Sequence, residues 1–410
     1  MFSIPDFALV LVAGSPDAGR DAFVNARFAA EETCAVIPEG ARSTVPFGFA
    51  GATAPIDGAE TQLGMRLAHR KLACAVVSDP TPQIRKRFAT LARFHHAPYI
   101  GVGFGISDKV MKTERGRRGF DHVIAFPEAE TSATAIRFQR VPLTCDRRQE
   151  TGPFDIIGDV HGCAGELESL LERLDYRVVR EGEAGLRRYS VIPPKGRKAI
   201  FVGDLVDRGP RSPDALRLVQ SMVSAKQGLC VIGNHDDKFL RWLKGRDVSM
   251  SHGLAETVRQ VAEQESGFGN VIRPFLQDLP SHLVLDGGRL VIAHAGLPEE
   301  LHNRQSGKVR SFAMYGETTG KVDRDGIPER IDWAASYRGE AVVVQGHTPV
   351  QEAEWFNRTI CIDTGCVYGG RLIALRWPER DLVSVDAERQ WSAPKRPLLP
   401  PRNGAARHPS

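Results

Sequence analysis

Short apolar runs alternate with amphipathic stretches over roughly the first 145 residues, and that alternation predicts an α/β unit. The predicted strands are ALVLVA at 8–13, CAVIP at 34–38, ACAVVS at 73–78, YIGVGF at 99–104 and HVIAF at 122–126. Between them AETQLGMRLAHRKLA and TPQIRKRFATLARFHHA carry apolar residues at helical spacing. In the second of these, Thr81 is the expected N-cap and Pro82 the first helical residue.

The pattern breaks at TCDRRQETGP, residues 144–153, a polar stretch that precedes a fresh strand, FDII. The domains expected are therefore 1–148 and 149–391. The second begins as β/α and later carries a hairpin signal, LVLDGGRLVIAHAG, with Asp286 and Gly287 between two apolar strands. From Ser392 onward SAPKRPLLPPRNGAARHPS has no period and is rich in Pro and Arg, so 392–410 is expected to be a flexible tail.

With 42% apolar and 25% charged residues, the 410-residue chain falls among soluble globular proteins. No apolar run approaches the ~20 residues that span a bilayer, and no secretory leader is visible, so the expected location is cytoplasmic. Seven cysteines without zinc-finger spacing suit a reducing compartment. A net charge of +4 is compatible with anionic substrates without requiring them.

Candidate chemistry is concentrated in five short segments of the second block: GDVHG (158–162), GDLVDRG (203–209), GNHD (233–236), AHAG (293–296) and GHT (346–348). Each follows an apolar strand, and an α/β sheet gathers residues at such strand ends into one crevice. Asp159, His161, Asp204, Asn234, His294 and His347 supply carboxylate, amide and imidazole donors without thiolate. That set suits divalent manganese, iron or zinc in a working site better than structural zinc. A carboxylate can bridge two ions, and a pair ~3.5–4 Å apart can clamp the attacking and leaving oxygens of a phosphoryl displacement. Cys361 and Cys366, spaced CxxxxC, offer only two thiols and are expected to be small strand-end residues.

In order and spacing these segments resemble the calcineurin-like metallophosphoesterases. Further downstream, GHTPV and EWFNRTICIDTGCVYGGRLIALRWPERDLVSV look like the phosphatase domain of bacterial polynucleotide kinase-phosphatase, over about residues 154–386. The fold the resemblance implies is an αββα sandwich of mixed sheets. It also implies two divalent ions, manganese first, with iron, zinc or nickel as alternatives. Asp159 and His161 would hold one ion, Asp204 would bridge, and Asn234, His294 and His347 would hold the other. Arg208 would grip phosphate oxygens, His235 would protonate the leaving oxygen with Asp207 orienting its ring, and Asp363 would be a further active-site acid. A metal-bridging hydroxide would attack phosphorus in line.

The substrate expected from this likeness is a terminal or cyclic phosphate at an RNA or DNA end. Alternatives are a nucleotide hydrolase of the diadenosine tetraphosphate type, a Ser/Thr protein phosphatase, and a regulatory binding protein with a vestigial site. No membrane partner is expected.

The likeness also draws attention to GSPDAGRD, residues 14–21, which nearly spells the phosphate-binding loop GxxxxGK[ST] between a strand and a helix. Gly14 and Gly19 are in place. Arg20 replaces the lysine, and Asp21 replaces the hydroxyl and puts a carboxylate at a helix N-terminus, where phosphate would otherwise bind. The acid expected after the second strand has no counterpart in CAVIPEGARS, and Ser78 stands about where another is expected. The first domain is thus expected to be a degenerate P-loop NTPase-like α/β domain with at most weak nucleotide binding.

Overall fold

A computed structural model describes residues 2–28, 34–37, 55–106, 119–126, 136–183, 185–322 and 328–402. The chain divides into two compact units, residues 1–143 with 304–308, and residues 144–303 with 309–410. The first division falls a few residues before the expected boundary, because Asp146–Arg147 pairs in parallel with His282–Leu285 and so belongs to the second unit's sheet.

In the first unit the apolar runs form a parallel five-stranded sheet in the order Cys34–Val36, Ala73–Val77, Leu9–Gly14, Tyr99–Phe104, His122–Phe126. Every residue of its three central strands is buried, as near-continuous apolar runs require when both faces of a parallel sheet are covered. Thr81 caps the helix Pro82–Phe94 by accepting the Ile84 amide at 3.3 Å. Pro38 and Glu39, in the segment that lacks the expected acid, lie outside the described residues.

The second unit is built on two sheets. One runs Gly228–Cys230, Lys198–Phe201, Phe154–Ile157, Arg371–Trp377, Leu382–Asp386, its first three strands parallel. The other runs Trp355–Phe356, Thr359–Cys361, Val342–Gln345, Leu290–Ala293, His282–Leu285, Asp146–Arg147. Period-two alternation sorts the side chains between layers. Phe154, Ile156, Ile200, Leu290, Ile292 and Val344 share one buried core, which is the seam between the sheets. Their neighbours Ile157, Ala199 and Phe201 face a core shared with Leu167 and Leu170 of Ala164–Arg173 and with Leu216 and Val219 of Ser212–Ser224. Val291 and Val343 pack outward against Phe312, Trp333 and Tyr337. The result is helix, sheet, sheet, helix. Each fully buried aliphatic of the seam contributes roughly 1.5–3 kcal/mol, so the strand ends that carry the candidate residues are held firmly.

The predicted hairpin forms, His282–Leu285 against Leu290–Ala293, although a short 3-10 turn over Asp286–Gly288 replaces a two-residue loop. The first part of the expected tail carries structure. Leu399 bridges Val350 in parallel, its amide donating to the Pro349 carbonyl and its own carbonyl accepting from the Gln351 amide, both at 2.9 Å. Composition registered the prolines, but these edge contacts are long-range. Residues 403–410 lie outside the described residues. No helix among the described residues is long and apolar enough to cross a membrane.

Candidate active site

Six strand ends deliver the predicted residues. Asp159 follows Phe154–Ile157, Asp204 follows Lys198–Phe201, and Asn234 and His235 follow Gly228–Cys230. On the other sheet His294 follows Leu290–Ala293, His347 follows Val342–Gln345, and Asp363 follows Thr359–Cys361. Each trio of strands is parallel, so each sheet presents its polar loops at one rim. The rims meet: the Asp159 Oδ2 of one accepts the His347 amide of the other at 3.0 Å, and His294 Nδ1 lies 3.0 Å from the Val202 carbonyl.

Asp204 is central. Its Oδ2 lies 3.6 Å from His161 Nε2 and 3.3 Å from His294 Nε2, while Oδ1 accepts the His235 amide at 2.9 Å. His294 Nε2 is also 3.0 Å from Asn234 Oδ1 and 3.0 Å from His347 Nδ1. Beside this group His235 Nδ1 meets Asp207 Oδ2 at 2.5 Å, and Arg208 reaches His235 Nε2 at 2.8 Å and His161 Nε2 at 2.5 Å. The Arg208 guanidinium lies 5.6 Å from the Tyr368 ring centre. Asp363 is buried and accepts the Gly365 amide at 3.0 Å.

These positions need unusual backbone. His161, Asp204, Asp207, Arg208 and His347 all have φ between 44° and 76°, in the left-handed region that disfavours side chains. Such outliers persist where surrounding bonds over-determine them, as the His161 amide to the Asp204 carbonyl does here at 2.8 Å. Two motif glycines have a steric reason: a Cβ on Gly346 would collide with the Asp159 carboxylate, and one on Gly233 with that of Asp204. Gly346→Ala is expected to lower kcat on a simple phosphate ester about 100-fold, since displacing a site group by ~1 Å costs that order. Unchanged kcat would show that this close approach sets nothing.

Burial raises the Asp159 pKa well above the carboxylate range, and Asp363 adds to it. Burial likewise lifts Asp363 to about 6. At Asp204 burial opposes the charge, but His294 and His235 overcome it and hold the pKa well below the usual value. His294 is the reciprocal case, opposed by burial yet lifted to about 9 by Asp204 and Asp159. Burial lowers His161 and His347, with Arg208 and His294 respectively adding repulsion.

The calcineurin-like phosphoesterase pattern matches residues 152–382, more than half of the chain. The chain belongs to the calcineurin-like phosphoesterase family. Three relatives are named bis(5'-nucleosyl)-tetraphosphatase PrpE [asymmetrical]. That of Anoxybacillus flavithermus is 43% identical over 59% of this chain and 97% of its own length. That of Geobacillus thermodenitrificans is 46% identical over 56% and 93%, and that of Halalkalibacterium halodurans 44% over 57% and 93%.

Members of this phosphoesterase family use two divalent ions, and the site fits them. Asp159 Oδ1 and His347 Nε2 are buried without a hydrogen-bond partner. Ligand atoms of Asp204, His294 and His347, and of His161, Asp204 and His235, gather within 4.8 Å. His161 Nδ1 sits 2.8 Å from the Val206 carbonyl, so its N–H donates there and the lone pair is left on Nε2, which faces Asp204; the Val202 carbonyl likewise holds His294 Nδ1 and turns its Nε2 to Asp204. When bound, divalent ions supply Lewis-acid charge to the phosphoryl oxygens and a nucleophile at neutral pH.

Three supporting residues of this phosphoesterase escaped the motif reading. Thr257 Oγ donates to Asp207 Oδ1 at 2.7 Å and accepts the Asp207 amide at 3.1 Å. Gln260 accepts the Ser212 amide at 2.8 Å and donates to the Gly209 carbonyl at 2.9 Å, bracing the same loop. Thr257 and Gln260 lie on the buried face of Leu254–Ala262 with Leu254. A polar pair on an apolar stripe was the available signal, but it names no partner. Asp236, within GNHD, is buried and accepts the Leu205 and Gly233 amides, tying two motif loops together. Cys361 donates to the Gly346 and Thr348 carbonyls, whereas Cys366 packs in the core with Cys163 and Val367, so the two form no joint site.

In the first unit Gly14 and Gly19 have φ of 133° and 90° and flank a 3-10 turn, Pro16–Ala18. The helix is Arg20–Arg27 with Gly19 at its cap, so Asp21 is the second helical residue. Arg20 is buried and folded back on its own loop, with bonds to the Gly14 carbonyl at 2.9 Å, Ser78 Oγ at 3.0 Å and Asp21 Oδ1 at 2.7 Å. The amides of Ala18 and Gly19 are spent on the Ser15 and Pro16 carbonyls.

Proposed function

We propose that this chain hydrolyses dinucleoside tetraphosphates asymmetrically, to a nucleoside monophosphate and a nucleoside triphosphate. The observation that carries the reading is the 43–46% identity to tetraphosphatases over 93–97% of their lengths. It displaces nucleic-acid ends as the first substrate. That expectation rested on a kinase-phosphatase likeness, which none of these relatives supports, and on a charge of only +4.

In this reading Asp159 and His161 serve one ion, Asn234, His294 and His347 the other, and Asp204 both. Arg208 binds non-bridging phosphate oxygens through its two-pronged guanidinium. His235 donates its Nε2 proton to the leaving oxygen. Asp207 holds the Nδ1 proton, fixes the ring and stabilises the imidazolium, and Thr257 fixes Asp207 in turn. Initial rates of the metal-loaded protein on diadenosine tetraphosphate, RNA ending in a cyclic phosphate and a phosphoserine peptide test the proposal, with Asp159→Ala as control. The dinucleotide should be preferred by at least about tenfold. Preference for either other substrate would refute the reading.

The first unit we read as a degenerate P-loop domain. Its central strand carries the loop at the switch point of a parallel sheet, where nucleotides bind in such folds, but Arg20 and the turn's own amide bonds occupy the groups a phosphate would use. Titration with Mg-ATP is expected to give no binding below millimolar concentration. Transfer of the ATP γ-phosphate to an RNA 5′ end would contradict this.

A further inference from the structure

A cavity of about 370 Å³ adjoins the metal-ligand set, sharing with it the wall Gln345–Thr348 and the neighbouring Ala295 and Cys361. Ile331, Trp333, Phe356 and Leu399 form its apolar lining, and Arg330 and Arg402 its cations. Its size is that of a small-ligand site, and a mostly apolar wall with a few placed polar groups is the usual makeup of one.

Two details identify what fits. The first is a built platform. Arg402 lies with its guanidinium carbon 4.1 Å from the Phe356 ring centre and is clamped by both oxygens of Asp332, at 2.9 and 3.0 Å. Its amide donates to Glu354 at 3.0 Å, and the Leu399 bridge to Val350 anchors the segment that brings it there. A guanidinium placed over an aromatic ring and fixed by a carboxylate is a layer on which another planar π-system can stack. The second is the charge pattern. Among the described residues, Glu317, Asp332, Glu352 and Glu354 line the cavity beside the guanidiniums of Arg330 and Arg402, a lining that favours exocyclic amino and ribose hydroxyl donors over phosphate. Between cavity and metal-ligand set stands Arg330, bonded to Thr348 Oγ at 2.5 Å and near enough to Asp204 and Asp363 to feel both charges.

We infer that this cavity is a nucleoside subsite: a base stacks on the Arg402–Phe356 layer, and the polyphosphate leaves it past Arg330 toward the metal-ligand set. The inference rests on the tetraphosphatase reading and adds to it the place where one nucleoside is held. It also gives a use to the segment Leu399–Arg402, which composition alone marks as tail.

Steady-state kinetics on diadenosine tetraphosphate and on p-nitrophenyl phosphate, which has no base, test it in wild type, Arg402→Ala and Arg402→Lys. Arg402→Ala should raise KM for the dinucleotide about tenfold, the scale of one lost stacking contact, and lower the ratio of the two kcat/KM values by the same factor. Arg402→Lys should behave like Arg402→Ala, since an ammonium keeps the charge but not the plane. An unchanged dinucleotide KM, equal losses on both substrates, or rescue by Lys would each overturn the subsite. Failure of the wild type to cleave the dinucleotide while cleaving p-nitrophenyl phosphate would overturn the tetraphosphatase reading itself.

Discussion

Asp204→Ala is expected to abolish metal retention and hydrolysis together, with kcat lower by on the order of 10³-fold or more on any phosphate ester. Its contacts reach three of the motif segments. One carboxylate oxygen stands between His161 and His294, and the other ties down the His235 amide. Removing the carboxylate therefore deletes the ligand we propose is shared by both ions and frees the loop that carries the candidate acid. It also removes the carboxylate that does most to hold the charge of the buried His294. Asp204→Asn separates these effects, since it keeps the hydrogen bond to the His235 amide and loses the charge. Elemental analysis of the purified variants alongside kcat is the check. Wild-type metal content with lost activity would move Asp204 from ligand to positioning residue, and retained activity would remove it from the site.

His235→Ala should leave metal content intact and lower kcat by roughly 10²–10⁴-fold on an alkyl phosphate, the range for loss of a general acid. The loss should shrink as the leaving group improves, because a weakly basic oxygen departs without a proton. p-Nitrophenyl phosphate and the anhydride of a dinucleotide should therefore suffer less than the alkyl ester. The geometry that supports this is the 2.5 Å contact of His235 Nδ1 with Asp207, itself fixed by Thr257. His235 also sits near His161 and Asp204, close enough to be taken for a ligand. The variant decides between the roles: an equal loss on all leaving groups, accompanied by metal loss, would make His235 a ligand.

Much of this site was legible because each motif closes an apolar strand with a glycine and a ligand-type residue. Strand direction then brings Asp159, Asp204 and Asn234 to the rim of one sheet and His294 and His347 to the rim of the other, and the packing of the sheets joins them. The place of Asp204 between two imidazoles was legible only through family resemblance, since nothing in GDLVDRG says which Asp faces them. Thr257 and Gln260 were not legible, because a helix some fifty residues downstream of the Asp207 loop carries them and its sequence reads as an ordinary amphipathic face. The tail misled for a related reason. Pro and Arg lower the expectation of structure locally, whereas Leu399 and Arg402 are ordered by partners at Val350, Asp332 and Phe356. In the first unit the positions of the strands followed from periodicity, but the detail of the helix start did not: Gly19 is its cap, Asp21 its second residue, and Arg20 turns inward.

The most direct measurement is the product ratio when the metal-loaded protein consumes diadenosine tetraphosphate, followed by chromatography at early times. Attack at an outer phosphate gives AMP and ATP in equal amounts, and that is the predicted result. Two molecules of ADP, or no turnover of the dinucleotide by a protein that still cleaves p-nitrophenyl phosphate, would contradict it.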